Sequence, residues 1–202
     1  MHAQILLYDG FDELDVVAPY EVLQVAAALG ATARAELLTL DGAAEVTGAY
    51  GLRLRPQTRL EPGARPDLLL VPGGGWIARG ARGVCGEVAR GVIPAAVAEG
   101  HQAGVTVAAV CTGAILLAAA GLLRGRPAVT HPMAVDELRA AGAEIIAARV
   151  VDDGDVVTAG GVTSGLDLAL WLVERFAGPA LASAVEERLQ DERRGPVWRR
   201  ST

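Results

Sequence analysis

Short apolar runs alternate along this chain with stretches of helical length, and that alternation limits the fold more than any other feature. Residues 4–8, 35–40, 67–71 and 105–110 are too short for helices and too apolar for loops; Asp9-Gly10, Asp41-Gly42 and Pro72-Gly73 close the first three. Between and after them, helices are predicted over 14–29, with Pro19 in its first turns, over 88–103 and from 112 onward. A short helix is expected at 133–141 and a strand at 144–151. After a turn at 152–154 come a strand at 155–159 and a helix from Thr163 or Ser164 to Phe176. A last helix follows Gly178-Pro179 and ends near Arg194, while 46–54 reads as a hairpin or edge excursion. Strands and helices alternating at this spacing call for an α/β fold, with a mostly parallel sheet covered on both faces. A chain of 202 residues suits one domain, with a carboxyl-terminal helix and tail from about 179. Its 51% hydrophobic content with only 4% aromatic residues fits closely packed layers.

Charge and cysteine usage exclude several functions. The formal net charge is −6 and no dense Lys/Arg stripe is present, which argues against direct nucleic-acid contact. Arg188, Arg193, Arg194, Arg199 and Arg200 alternate with acidic residues and read as a solvated helix face and tail. Two cysteines make no disulfide framework, and the amino terminus runs into Ile5-Leu6-Leu7 without a basic leader, so the cytoplasm is the expected compartment. No apolar run reaches the ~18 residues that span a bilayer. Three scattered histidines and two distant cysteines give no metal-ligand spacing, so no metal is expected.

Cys111 is the residue on which chemistry is most naturally placed. The buried strand 105–110 stops at it and passes straight into Thr112-Gly113-Ala114. A strand-to-helix turn presents a side chain at the carboxyl edge of a sheet, often with backbone strain, and the helix start favours a thiolate. On this reading Cys111 is acidic and reactive; the alternative is an ordinary buried small hydrophobe. Cys85, between glycines in a loop, reads as incidental.

Three other features follow strands and could converge on Cys111. Pro72-Gly73-Gly74-Gly75 is either a tight turn or a source of bare amides, with Gly74 or Gly75 joining the Thr112 amide in an oxyanion-type site. In Asp12-Glu13-Leu14-Asp15, Asp12 is expected to cap a helix and Glu13 to be solvated. Asp15, among Leu14, Val16 and Val17, is expected to be partly buried and able to donate a proton. His131 is the one histidine placed to pair with Cys111 or to line its pocket, and Trp76 is a further lining candidate.

Asp15, the 72–75 glycines, Ala109-Val-Cys-Thr-Gly113, Thr130-His-Pro132 and the run Gly160-Gly-Val-Thr-Ser-Gly-Leu-Asp167 together resemble the ThiJ/PfpI superfamily, the class I glutamine amidotransferase-like group. The match runs in order from about residue 3 to about 178. The resemblance implies a flavodoxin-like three-layer sandwich, usually a homodimer, with Cys111 as nucleophile on its elbow and no cofactor. The isonitrile hydratase branch is the most similar, because it too carries an aspartate at this position and Cys-Thr-Gly at the elbow.

By that resemblance Asp15 would hydrogen-bond the sulfur and manage the proton, Thr112 would shape the site, and Gly74 with Gly75 would complete an anion-stabilising wall. A small-molecule isonitrile would then be hydrated to an N-substituted formamide, a hydro-lyase reaction. Thr112 stands where protease-like members carry histidine, which disfavours a Cys-His protease. Glyoxalase and deglycase members carry glutamate in place of Asp15, which weakens that alternative. The 192–198 segment resembles the junction of AraC-type regulators that use this fold for sensing, so a redox or small-molecule sensor is the other reading.

Overall fold

The strand Leu68–Val71 is buried at every residue, and Thr106–Val110 at all but its first. A strand reaches that state only in a sheet covered on both faces. The computed structural model describes residues 1–61, 63 and 65–200. In chain order it contains β1 (His2–Leu6), α1 (Glu13–Ala28), β2 (Arg34–Thr39), β3 (Val46–Thr47), β4 (Arg53–Leu54), β5 (Thr58–Arg59) and β6 (Leu68–Val71). There follow α2 (Val84–Arg90), α3 (Val92–Gln102), β7 (Thr106–Val110), α4 (Gly113–Ala119), β8 (Pro127–Ala128), a 3-10 turn at Pro132–Ala134 and α5 (Val135–Ala140). The chain continues through β9 (Glu144–Ile145), β10 (Val150–Asp152), β11 (Val156–Ala159), α6 (Ser164–Ala177), α7 (Pro179–Leu189) and β12 (Trp198–Arg199).

The main sheet has the order β12-β10-β11-β7-β6-β1-β2-β5. Its central run β2-β1-β6-β7-β11 is parallel throughout. Counted among themselves in chain order, those five strands read 2-1-3-4-5, the flavodoxin-like arrangement. Helices α1, α6 and α7 pack on one another, while α2, α3, α4 and α5 form a second packed group. Strand order reverses between β1 and β6, and ligands of open α/β sheets bind outside the carboxyl ends at such a reversal. The loops that leave β1, β6 and β7 therefore meet at one place.

Several boundaries differ from expectation, each for a local reason. The helix expected over 88–103 is two helices, because Gly91 (φ +72) takes a left-handed turn between α2 and α3. The strand expected over 144–151 is also two: β9 pairs with β8 in a separate ribbon, and β10 alone joins the main sheet, antiparallel to β11. Pro19 falls in the second turn of α1, within the first turns as expected. The last helix ends at Leu189, where Gln190 is left-handed (φ +53), well before Arg194.

The basic tail is largely exposed, as expected, but two of its arginines are also tied down by ion pairs. Arg193 bridges Glu174 (2.5 Å) and Glu186 (2.8 Å). Arg200 pairs with Asp153, whose side chain is 3% exposed and which also binds Arg126 at 2.5 Å. These pairs seat β12 in parallel beside β10. Among the described residues, no helix is long and apolar enough to cross a membrane.

Candidate active site

Cys111 occupies the junction between β7 and α4 with φ +57. That left-handed conformation costs a non-glycine residue about 1–2 kcal/mol, and surrounding bonds must impose it. They do: the Cys111 amide donates to the carbonyls of Ala159 and Gly160 (both 3.0 Å), and its carbonyl accepts from Thr130 Oγ1 at 2.8 Å. The side chain is only 5% exposed, yet it lines a cavity of about 470 Å³ with Tyr50, Trp76, Ile77, Met133 and Val162 on its apolar walls. Asp12, Arg82 and His131 are polar members of the same lining.

The sulfur's surroundings run against the expectation of an acidic thiol. Burial pushes the Cys111 thiol up to about 12, and the neighbouring Asp15 adds to the shift. Hydrogen bonds from the Val162 and Thr112 amides pull in the other direction without reversing it. Position at a helix start did not foretell this, because desolvation outweighs what two amides return.

Asp15 is fully buried in the first turn of α1. Its Oδ2 accepts the Gly73 amide at 2.9 Å, and its carboxyl lies close enough to the Cys111 sulfur for each to shift the other's proton affinity. Oδ1 is buried and has no hydrogen-bond partner among the described residues. Burial first, then the charge of Asp12, raises the Asp15 carboxyl to about 8. Both shifts run toward the protonated forms, so burial places a proton-retaining carboxyl beside the sulfur.

The glycine triplet is what lets these loops close together. A Cβ on Gly73 would stand 2.6 Å from the Thr112 amide nitrogen, and one on Gly74 (φ +129) would collide with Asp12 and Gly10 backbone. Across that gap the Asp12 amide donates to the Gly73 carbonyl at 2.8 Å. The Gly74 amide donates to Thr112 Oγ1 at 3.1 Å. The Gly74 amide is engaged in this way, whereas the Thr112 and Val162 amides face the Cys111 sulfur and Gly75 lines the cavity.

His131 and Trp76 both lie on the cavity wall. His131 Nδ1 accepts from the Met133 amide at 3.2 Å, and its ring fits against Gly161, where an added Cβ would approach within 2.6 Å. A nitrogen occupied by its own turn is a poor base for sulfur, so lining describes this histidine better than pairing. Trp76 Nε1 donates to the Met133 carbonyl at 3.2 Å, and the Arg79 guanidinium stacks 4.0 Å from its ring centroid. Cys85 opens α2, half-buried and outside the cavity lining.

Asp12 caps α1 as expected, its Oδ1 accepting from the Leu14 amide at 3.2 Å, and it reaches the cavity as well. Glu13 departs from expectation. Its Oε1 accepts from the amides of Tyr50 (2.7 Å) and Leu52 (3.3 Å), on the β3–β4 hairpin, so it is a structural anchor rather than a solvated charge. Sequence reasoning did not single out Val162, Tyr50, Ile77 or Met133. Val162 had a signal, since it follows a strand end like the other site residues, and its φ of +20 is strained. Among the described residues, no group of three or more His, Cys, Asp or Glu side chains is arranged to hold a metal ion.

Comparison with known proteins is consistent with this geometry. An isonitrile hydratase of Pseudomonas putida is 35% identical over 185 residues, 92% of this chain and 76% of that protein. The HTH-type transcriptional regulator CdhR of Pseudomonas aeruginosa is 33% identical over 189 residues; these are 91% of this chain but only 53% of the regulator, so the chain spans about half its length. Among solved structures, an AraC family transcriptional regulator of Pseudomonas putida superposes with a TM-score of 0.79 at 27% identity, covering 93% of this chain and 98% of that one. DJ-1beta of Drosophila melanogaster gives 0.81 at 21% identity over 95% and 98%, a likeness of fold. With the DJ-1/PfpI family model matching residues 1–175, the chain belongs to the DJ-1/PfpI family.

Proposed function

We propose that this protein is a cysteine-dependent hydratase that converts isonitriles to N-substituted formamides. The observation that carries the reading is the buried Asp15–Cys111 pair, a protonated carboxyl beside a sulfur at the edge of an apolar cavity. An isonitrile presents a terminal carbon that accepts a proton and then becomes electrophilic, and its substituent is commonly apolar. The 35% identity to a protein named isonitrile hydratase supports the same substrate class.

In this mechanism Asp15 gives its proton to the terminal carbon of R–N≡C. The Cys111 sulfur bonds to that carbon while the thiol proton passes to the Asp15 carboxylate, so the product is the thioimidate R–N=CH–S–Cys and the carboxyl is protonated again. Water then adds to the carbon, its proton going to nitrogen. Collapse of the adduct breaks the C–S bond, releases R–NH–CHO and returns the proton to sulfur. The Thr112, Val162 and Gly75 amides are the groups suited to charge developing during addition and collapse. No resting thiolate is needed, because proton transfer and sulfur attack are coupled.

Formamide production from an alkyl isonitrile, followed by mass spectrometry, tests the proposal. Wild type should turn over, and Cys111→Ser and Asp15→Asn should each lose at least about a hundredfold. A wild-type protein that binds the isonitrile and yields no formamide would favour the second reading, a small-molecule sensor, which the identity to a transcriptional regulator supports. Within that reading the apolar cavity favours a small-molecule ligand over oxidation of Cys111, whose thiol burial pushes up.

A further inference from the structure

Glu13 was expected to be a solvated charge, but it holds a wall of the cavity in place. Its Oε1 takes the amides of both Tyr50 and Leu52, which flank the tip of the β3–β4 hairpin. Gly48, at the start of that tip, is packed on the same carboxyl: a Cβ there would stand 2.6 Å from Glu13 Cδ. The neighbouring Ala49 amide donates to the Phe11 carbonyl at 2.8 Å, and the Gly10 amide to the Thr47 carbonyl, also at 2.8 Å. Ala49 and Tyr50 are cavity-lining residues, and Tyr50 is 83% exposed. A tyrosine that exposed has little packing of its own to hold it, so its position is inherited from the backbone beneath it.

We infer that Glu13 is a positioning residue that fixes the Ala49–Tyr50 wall and thereby sets how large a substituent the Cys111 cavity accepts. The inference rests on the hydratase reading for its kinetic arm only. Glu13 follows Asp12 and precedes Asp15 by one turn-forming residue, so one short segment supplies the cap, the wall anchor and the proton donor. Because the anchor acts on backbone amides, the identity of the side chain at position 50 can change while the wall keeps its place.

The test compares Glu13→Ala, Glu13→Gln and Gly48→Ala in the full chain. Glutamine keeps an acceptor oxygen for both amides, and Glu13 Oε2 has no partner to lose among the described residues. In Glu13→Ala, hydrogen exchange at the Tyr50 and Leu52 amides should rise about tenfold or more, and it should stay near wild type in Glu13→Gln. For a bulky cycloalkyl isonitrile KM should rise about tenfold in Glu13→Ala, while kcat for a small alkyl isonitrile changes less than about twofold. Gly48→Ala should reproduce the alanine phenotype, and combining the two should add little.

An arm independent of isonitriles uses Cys111 alkylation by iodoacetamide and by a bulky N-aryl iodoacetamide. The ratio of the two rates should shift in Glu13→Ala and be restored in Glu13→Gln. If wild type turns over no isonitrile while this ratio shifts, the hydratase reading fails and the wall assignment stands. Unchanged amide exchange, an unshifted alkylation ratio, equal kinetic losses for small and bulky substrates, or a glutamine variant no better than alanine would each overturn the inference.

Discussion

Gly73 donates its amide to Asp15 Oδ2 at 2.9 Å, and this one bond joins the loop after β6 to the first turn of α1. It also divides the labour of the carboxyl. One oxygen is spent on the backbone, and the other is buried without a hydrogen-bond partner among the described residues. An asparagine can keep the first bond through its own carbonyl oxygen but has no acidic proton to give.

Asp15→Asn should therefore fold and lose activity by at least about a hundredfold. The wild-type rate should fall as pH rises through about 8, where the Asp15 proton is lost. Stability follows the same sign. The carboxyl is raised from 3.8 to about 8 on folding, so its contribution is fully present below about 4 and is lost as pH rises toward 8. Thermal melts at pH 5 and pH 8 should show Asp15→Asn gaining on wild type at the higher pH. A gain at the lower pH would contradict a protonated Asp15.

Resting Cys111 should react slowly with iodoacetamide near neutral pH, because burial and Asp15 keep its thiol protonated. Half-buried Cys85, outside the cavity, should be labelled first. Peptide mapping after timed alkylation reads both sites at once. Preferential labelling of Cys111 at pH 7 would mean that its proton is held far less tightly than the burial of the site implies.

Gly74→Ala should destabilise the protein by at least about 2 kcal/mol, since it combines a φ of +129 with a collision against the Asp12 backbone. For a chain of this length that corresponds to a melting temperature lower by roughly 4–8 °C. Activity should fall with it, because the displaced segment carries the approach to Asp15. A neutral substitution would show that the three loops do not need to meet so closely.

Most of the fold was legible because parallel strands buried on both faces read as short unbroken apolar runs, as at Leu68–Val71. The segments that escaped are those whose pairing is non-local. Only the partner strand β10 makes Trp198–Arg199 a strand, and only β8 draws Glu144–Ile145 out of the single strand expected over 144–151 into a separate ribbon. At the site, residue types and strand-end positions pointed to Asp15, Cys111, Thr112 and the glycines, and these do converge. The state of the thiol was not legible, since it depends on how much water the folded walls remove. Nor was Glu13 as an anchor, because its partners are backbone amides 37 and 39 residues away.

Asp153 gives a test of how the tail is held. Its carboxyl is nearly fully buried; burial alone would raise its pKa, but Arg200 and Arg126 hold it below the ordinary value. Asp153→Ala would strand Arg126 without one of its two carboxylate partners and should cost about 1–3 kcal/mol. In wild type this contribution is present above the usual carboxylate range and is lost as the solution becomes acidic. Limited proteolysis should then cut within 190–200 sooner in the variant. Equal cleavage would mean that β12 is seated by its backbone pairing alone.

The sheet's two outermost strands, Thr58–Arg59 and Trp198–Arg199, are each two residues long and each carries an arginine. An incoming strand from another molecule would find almost no ladder to extend and a guanidinium at either rim. Runaway edge-to-edge stacking, the common hazard of an eight-stranded open sheet, is thereby blunted by the outline of the molecule itself.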